Sequence, residues 1–162
     1  MRFPDAQFEM VRLGIGIYGV STVERTVDKE SSLENVSTLK STISQIKIVP
    51  KNDTIGYGRK AYANSKMTIA IVPIGYADGL NRKLGNGVGK LLVNGELAPI
   101  VGDVCMDMCM LDITNVLAKE GDEVIVFGQD YPVTDFAKNL STIPYEVLTS
   151  ISQRVKRVYL HE

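Results

Sequence analysis

The chain has 162 residues, enough for one full domain with a fragment of another, and its 44% hydrophobic and 23% charged residues are an ordinary globular balance. A formal net charge of −1 gives no electrostatic reason to expect nucleic acid or an anionic membrane, and no apolar run approaches the ~20 residues of a membrane span. One histidine, His161, and two cysteines supply no credible zinc ligand set and no internal base for a Ser or Cys nucleophile, so no metal is expected and any chemistry falls to Tyr, Arg, Lys or carboxylates.

The opening Met1-Arg2-Phe3-Pro4-Asp5 lacks the apolar stretch of a signal peptide, and a cytoplasmic location is expected. Residues 8–19 are apolar and punctuated by glycine. Within them Gly14-Ile-Gly16-Ile-Tyr-Gly19 matches G-x-G-x-x-G literally, but the polar segment that follows has no helical apolar face, and a dinucleotide fold needs one. A structural turn is the leading reading of those glycines, and a phosphate held by their amides is the other. Residues 21–42 are polar and read as a boundary or a long surface connection.

Short runs rich in Ile and Val then predict strands over 43–49, 67–74, 88–93, 97–101 and 123–127, with Ile46 and Ile48 flanking Lys47, and Ile69 and Ile71 flanking Ala70, as half-buried strands require. Asn94-Gly95 predicts a type I′ hairpin, because both residues tolerate positive φ. Gly121-Asp122 punctuates the entry to the last of these runs. If residues 104–112 are extended, Cys105 and Cys109 lie about 13 Å apart, too far for a disulfide. Thr134 is expected to cap a short helix with Phe136, Ala137 and Leu140 facing inward, and Pro144 to open another carrying Val147, Leu148 and Ile151. A final strand is expected from Val155 to Leu160. The fold class is therefore mainly β with two short late helices.

Three further clusters could carry chemistry. Tyr57 stands between Gly56 and Gly58, which clear space around its ring. A tyrosine serves as a base only beside a cation or a proton-accepting partner, since phenols hold their proton to about pH 10. A structural tyrosine at a strand bend is the competing reading. In Pro73-Ile-Gly75-Tyr76-Ala-Asp78-Gly79-Leu-Asn-Arg82 an apolar strand ends in glycine, aromatic, acid and base together, and Asp78 with Arg82 reads equally as a solvated ion pair. Gly102-Asp-Val-Cys-Met-Asp107 combines Cys, Met and Asp, although methionine at such a spot is more often core packing.

The order and separation of these clusters say more than any one of them. Val11-Arg-x-Gly-Ile-x-x-Tyr-Gly19, Gly56-Tyr-Gly58, Gly75-Tyr-Ala-Asp-Gly79, Val104-Cys-Met-Asp107 and Ile143-x-Tyr-Glu-Val147, in one sequence, resemble the alanine racemases over nearly the whole chain. The resemblance implies an N-terminal α/β barrel ending near residue 19, a connection over 20–35, and a C-terminal β-barrel domain over 36–162. It implies pyridoxal 5'-phosphate as cofactor, alanine as substrate for peptidoglycan synthesis, and a homodimer whose sites combine the barrel of one subunit with the β-domain of the other.

By the same resemblance Arg12 contacts the cofactor's pyridine nitrogen, Gly14 and Ile15 offer amides to its phosphate, and Tyr145 adds a hydroxyl. Tyr57 is one of two catalytic bases, Met106 holds the substrate carboxylate through its backbone N–H, and Tyr76 and Arg82 line the entrance with Asp78 bracing the loop. The cofactor lysine and the tyrosine's usual histidine partner are absent, so these 162 residues alone are expected to be inactive. Asp103 stands where many family members have arginine, which reverses a charge at the entrance. A broad-specificity or serine racemase on the same scaffold, or a β-barrel interaction module without chemistry, are the alternatives.

Overall fold

In the computed structural model residues 8–21 and 33–160 are described, and the chain divides into two compact units, Met1–Ser37 and Thr38–Glu162. In the first, residues 8–14 carry no regular secondary structure, and a 3-10 turn follows at Ile15–Tyr18. A strand needs a neighbour to complete its ladder, and the described residues of this unit offer these none. Gly19, at φ 74°, closes the turn, and a Cβ there would lie 1.7 Å from the Glu34 carbonyl oxygen. Only glycine allows that approach. Residues 21–42 were expected to be a boundary or surface connection, and 22–32 of these lie outside the described residues.

Among its described residues the second unit is built on nine strands: β1 (Leu39–Thr42), β2 (Gln45–Val49), β3 (Thr54–Ile55), β4 (Ala61–Tyr62), β5 (Met67–Val72), β6 (Lys90–Val93), β7 (Glu96–Val101), β8 (Cys109–Asp112) and β9 (Glu123–Phe127). Helices α1 (Val133–Asn139) and α2 (Pro144–Ser150) follow. Seven strands form one antiparallel sheet in the order β1-β9-β6-β7-β8-β5-β2, and β3 pairs with β4 in a separate hairpin.

That order dictates curvature. Six strand-to-strand steps would set β1 and β2 about 29 Å apart in a flat sheet. Yet they are joined by Ile43 and Ser44 alone, and three Cα steps reach about 11 Å at most. The sheet must curl until its edges meet. Ile43 spans them: its amide bonds Asp122 beside β9, while the Ser44 amide bonds Ile71 on β5, both at 2.9 Å. The Ile43 side chain is fully buried, as are those of Leu91, Val93, Ile100, Leu111, Val72 and Val124.

The simple alternation expected of β5 fails for an instructive reason. Ala70 and Val72 are fully buried, yet Ile69 is buried too. Side chains two apart share a face. Ile69, with Ile71 and Met110 opposite it in the register, faces away from Ala70 and Val72, and that face is covered by Ile55, Ala61 and Ala63 of the β3–β4 hairpin. Burial of Ile55 contributes on the order of 1.5–3 kcal/mol to holding the hairpin down.

At the β6–β7 turn Asn94 and Gly95 have φ of 49° and 84°, and Val93 pairs with Glu96, the two-residue hairpin the sequence predicts. Leu39–Thr42 is a strand where surface connection was expected. Its single apolar side chain, Leu39, suffices because β1 pairs only with β9 and its Lys40 and Thr42 are exposed. Helix α1 starts two residues earlier than a Thr134 cap would place it. Pro132, at φ −57°, accepts the Asp135 and Phe136 amides through its carbonyl, and no side chain caps the turn. Phe136 seats the helix 6.1 Å from both Phe127 and Tyr131. Leu140 is only half-buried, as are Leu148 and Ile151.

The strand expected from Val155 to Leu160 does not form. The Val155 amide turns back to the Ser152 carbonyl, and the Arg157 guanidinium takes the carbonyls of Ile151, Ser152 and Val155, which fixes the chain as a turn. Val158, Tyr159 and Leu160 are left exposed. Both cysteines are free thiols. Cys109 lies inside β8, where burial, aided by the neighbouring Cys105, pushes its thiol up to about 12.

Candidate active-site surface

The β3–β4 hairpin presents Tyr57. Residues 56–60 link its strands, with Gly56 at φ 83° and Arg59 at φ 52°, and the Arg59 amide closes the turn on the Gly56 carbonyl at 3.1 Å. Arg59 Nε also donates to the Thr54 hydroxyl at 3.0 Å, tying the tip to its stem. Below the tip, the Asn52 amide bonds the Ala63 carbonyl and the Ala63 amide bonds the Asp53 carbonyl. Tyr57 itself is 96% exposed, and its hydroxyl has no partner among the described residues. A fully exposed ring on an anchored turn serves no core of this unit. That weighs against the structural-tyrosine reading.

Loop 102–108, between β7 and β8, is the hub. It begins against the hairpin: a Cβ on Gly102 would lie 3.4 Å from the Ile55 carbonyl oxygen. Residues 105–108 form a tight turn closed by the Cys105 amide on the Met108 carbonyl at 2.9 Å. The Met106 side chain is 54% exposed, not packed in a core, and its amide has no acceptor among the described residues.

Loop 75–82, between β5 and β6, docks on the hub through its backbone. The amides of Tyr76 and Ala77 donate to the carbonyls of Cys105 and Met106, both at 3.0 Å. That proximity explains Gly75: its φ of −142° suits any residue, but a Cβ would lie 2.3 Å from the Met106 carbonyl oxygen. Tyr76 opens a 3-10 turn, Tyr76–Asp78, and is 42% exposed. Gly79 ends it at φ 109°, where a Cβ would meet the Ser150 carbonyl oxygen at 2.7 Å. Helix α2 thus reaches the same place: the Ser152 amide bonds the Asp78 carbonyl at 3.1 Å. Tyr145, in the first turn of α2 behind Pro144, is 39% exposed.

The charges do not pair as the sequence suggests. Asp78 does not meet Arg82. Its Oδ2 accepts the Gly75 amide at 2.8 Å, and its Oδ1 accepts Arg154 Nε at 2.8 Å, because the 3-10 turn points the carboxylate back toward its own start and toward the exit of α2. Burial opposes its ionisation, but the bonds from Arg154 and Gly75 outweigh that and hold its carboxyl below the ordinary value of 3.8. Arg154 also donates through Nη2 to Asp107 at 2.6 Å, and these two hydrogen bonds raise its already high pKa. Arg82 lies 3.8 Å from Asp103, whose other oxygen accepts the Asn86 side-chain Nδ2 at 2.9 Å. The Asp103 carboxylate is therefore countered locally by Arg82.

The structure thus gathers Tyr76, Met106 and Arg82 around one hub, with the Tyr57 hairpin and the exit of α2 against it. Arg12, exposed, with Gly14 and Ile15, belongs to the other unit. There the amides of Ile15 and Gly16 find no acceptor among the described residues and Gly14 supplies no side-chain cap. Arg154 and Asn86 carry no signal in the sequence, because their partners are brought to them only by folding. Among the described residues no group of His, Cys, Asp and Glu is placed to hold a metal ion, and no helix is long and apolar enough to cross a membrane.

Fold and surface together define a mainly β domain that displays tyrosines, an unpaired amide and paired charges from open loops. The chain belongs to the family of the alanine racemase C-terminal domain, whose pattern matches residues 36–159. It is 43% identical over 166 residues to alanine racemase of Clostridium novyi, covering 99% of this chain and 43% of that protein. The structure of alanine racemase from Clostridium difficile 630 is similar at 44% identity and a TM-score of 0.88, over 97% of this chain and 41% of that one. Alanine racemase from Bartonella henselae, solved with covalently bound pyridoxal phosphate, is similar at 33% identity and a TM-score of 0.82, over 91% of this chain and 40% of that one. The chain spans about two fifths of the length of these relatives.

Proposed function

We propose that this chain supplies the β-domain share of a pyridoxal-phosphate-dependent alanine racemase, interconverting L- and D-alanine for peptidoglycan synthesis in the cytoplasm. In this reading residues 1–19 end an α/β barrel, 20–35 connect, and 36–162 are the β-domain. The lysine that binds the cofactor belongs to sequence outside these residues, and they do not racemise alanine alone. The observation that carries the reading is Tyr57: wholly exposed, without a hydroxyl partner among the described residues, and mounted on a hairpin whose stem is buried.

The residues present fit the cofactor. The unpaired amides at the start of the 3-10 turn, among them that of Ile15 after Gly14, suit a phosphate. The family resemblance alone adds the Tyr145 hydroxyl as a further phosphate donor. Arg12 would contact the pyridine nitrogen, as the family resemblance implies. A guanidinium does not release its proton, so it would leave that nitrogen unprotonated and moderate the ring as an electron sink. When bound, the cofactor withdraws electrons from the amino acid's α-carbon and acidifies its proton.

Racemisation takes a proton from one face and returns one to the other, so two groups on opposite faces are needed. Given a cation or proton acceptor from outside these residues beside its hydroxyl, Tyr57 would take and return the proton on the L-alanine side, and the lysine would serve the D side. Met106 binds the substrate carboxylate through its amide, while Tyr76 and Arg82 narrow the entrance. The exposure of Tyr57 suits a homodimer in which it enters the partner's site. The direct test is to assay L-to-D conversion in the complete dimer carrying this chain, with and without Tyr57→Phe. An unchanged rate would remove the assignment. Comparing kcat/KM for alanine, serine and lysine tests the substrate: alanine is expected to lead, and a preference for lysine refutes it.

A further inference from the structure

One guanidinium joins the two loops that carry Tyr76 and Met106 to the segment leaving α2. Arg154 Nε holds Asp78 at 2.8 Å and its Nη2 holds Asp107 at 2.6 Å. The carboxylates belong to different loops, and Asp107 directly follows Met106. The arginine and Asp107 side chains are 45% and 57% exposed, and ion pairs so open to water add little to stability. Their value lies in what they align.

Peptide geometry explains what is aligned. The Cys105 carbonyl and the Met106 amide share one planar trans peptide, so they point in opposite directions. The Tyr76 amide holds that carbonyl at 3.0 Å, and the Ala77 amide holds the next one, of Met106, at 3.0 Å. The direction of the unpaired Met106 N–H is therefore set by where loop 75–82 sits against the turn of residues 105–108. Arg154 fixes that placement from the side, gripping Asp78 on one loop and Asp107 on the other. Asp78 extends the grip inward through the Gly75 amide at 2.8 Å.

We propose that Arg154 is a positioning residue for substrate binding: by bridging Asp78 and Asp107 it aims the Met106 amide at the carboxylate of the amino-acid substrate and holds Tyr76 beside it. This rests on the racemase reading above. Lysine is a poor substitute, because the two contacts come from separate nitrogens of a rigid planar fork, whereas an ammonium on a flexible stem has no fixed second direction.

The test uses the complete dimeric holoenzyme carrying this chain, with Arg154→Ala, Arg154→Lys and Asp107→Asn. The expected result is a KM for alanine raised about tenfold or more in both directions for Arg154→Ala, with kcat changed far less. Arg154→Lys should recover only part of the loss. In parallel, hydrogen exchange at the Tyr76 and Ala77 amides should quicken by about tenfold in Arg154→Ala. If the exchange rates stay at the wild-type level, the bridge does not hold the loops and the proposal falls. If exchange quickens but KM does not move, or if only Tm and the active fraction fall, the role is structural and the proposal falls equally. Failure of the racemase reading shows separately, as a wild-type holoenzyme that converts no alanine.

Discussion

Tyr57 and Tyr76 both follow a glycine at the end of a strand, yet the fold mounts them in opposite ways. The hairpin bearing Tyr57 is fixed at its stem, by Ile55 and Ala63 in a hydrophobic cluster, and is bare at its tip. The loop bearing Tyr76 is fixed along its length, by backbone bonds to Cys105 and Met106, by Asp78 on Gly75, and by Arg154. A group that must reach a substrate held elsewhere needs a free end on a firm base. A wall of an entrance needs its backbone pinned. On the proposed function, the contrast separates a reacting tyrosine from a lining one.

The largest expected effect breaks the first half of that contrast. Tyr57→Phe in the complete enzyme should lower L-to-D turnover by about 100-fold or more while leaving Tm within about a degree, since the lost hydroxyl has no partner in this chain among the described residues. A large fall in Tm would show that the hydroxyl is structural after all. Next comes Gly75→Ala, whose Cβ would stand 2.3 Å from a backbone oxygen. Separating the two loops should cost about 2–3 kcal/mol, read as a shift in urea midpoint. A neutral result would mean the loops are not pinned together.

A smaller effect sharpens the comparison with an ordinary turn. Gly95→Ala meets open space but keeps φ at 84°, so the cost should be about 1 kcal/mol by the same measurement and activity should not change. The smallest effect is one of pH. Asp78 is held below its ordinary 3.8 in the folded chain, so its contribution is complete above that value and is lost as pH falls through the lower folded-state value. The stability gap between the wild type and Asp78→Asn should therefore be constant above about pH 5 and close on acidification below 3.8. A gap that widens in acid would contradict the ion pair with Arg154.

Local chemistry made much of this fold legible. The Asn94-Gly95 hairpin, Pro144 at the first turn of α2 and the Ile-Val runs act through φ preferences and side-chain alternation, which any few residues carry with them. The misreadings arise where the deciding partner is distant. Leu39–Thr42 is a strand because β9 is there to pair with it, and Ile69 is buried opposite Ala70 because a separate hairpin covers its face. Residues 155–160 fail to pair because Arg157 turns to the carbonyls at the end of α2.

The same division runs through the candidate site. The amino-acid sequence alone determined which tyrosines stand among glycines, where the Cys-Met-Asp segment falls, and the order of clusters that ties the chain to its family. Only the tertiary structure decided that Asp78 answers to Arg154 and Asp103 to Arg82, and that the Met106 amide is left without an acceptor among the described residues. A side chain's conformational preference is a property of its own backbone, but an ion pair or a free donor exists only once the curled sheet has brought distant loops together.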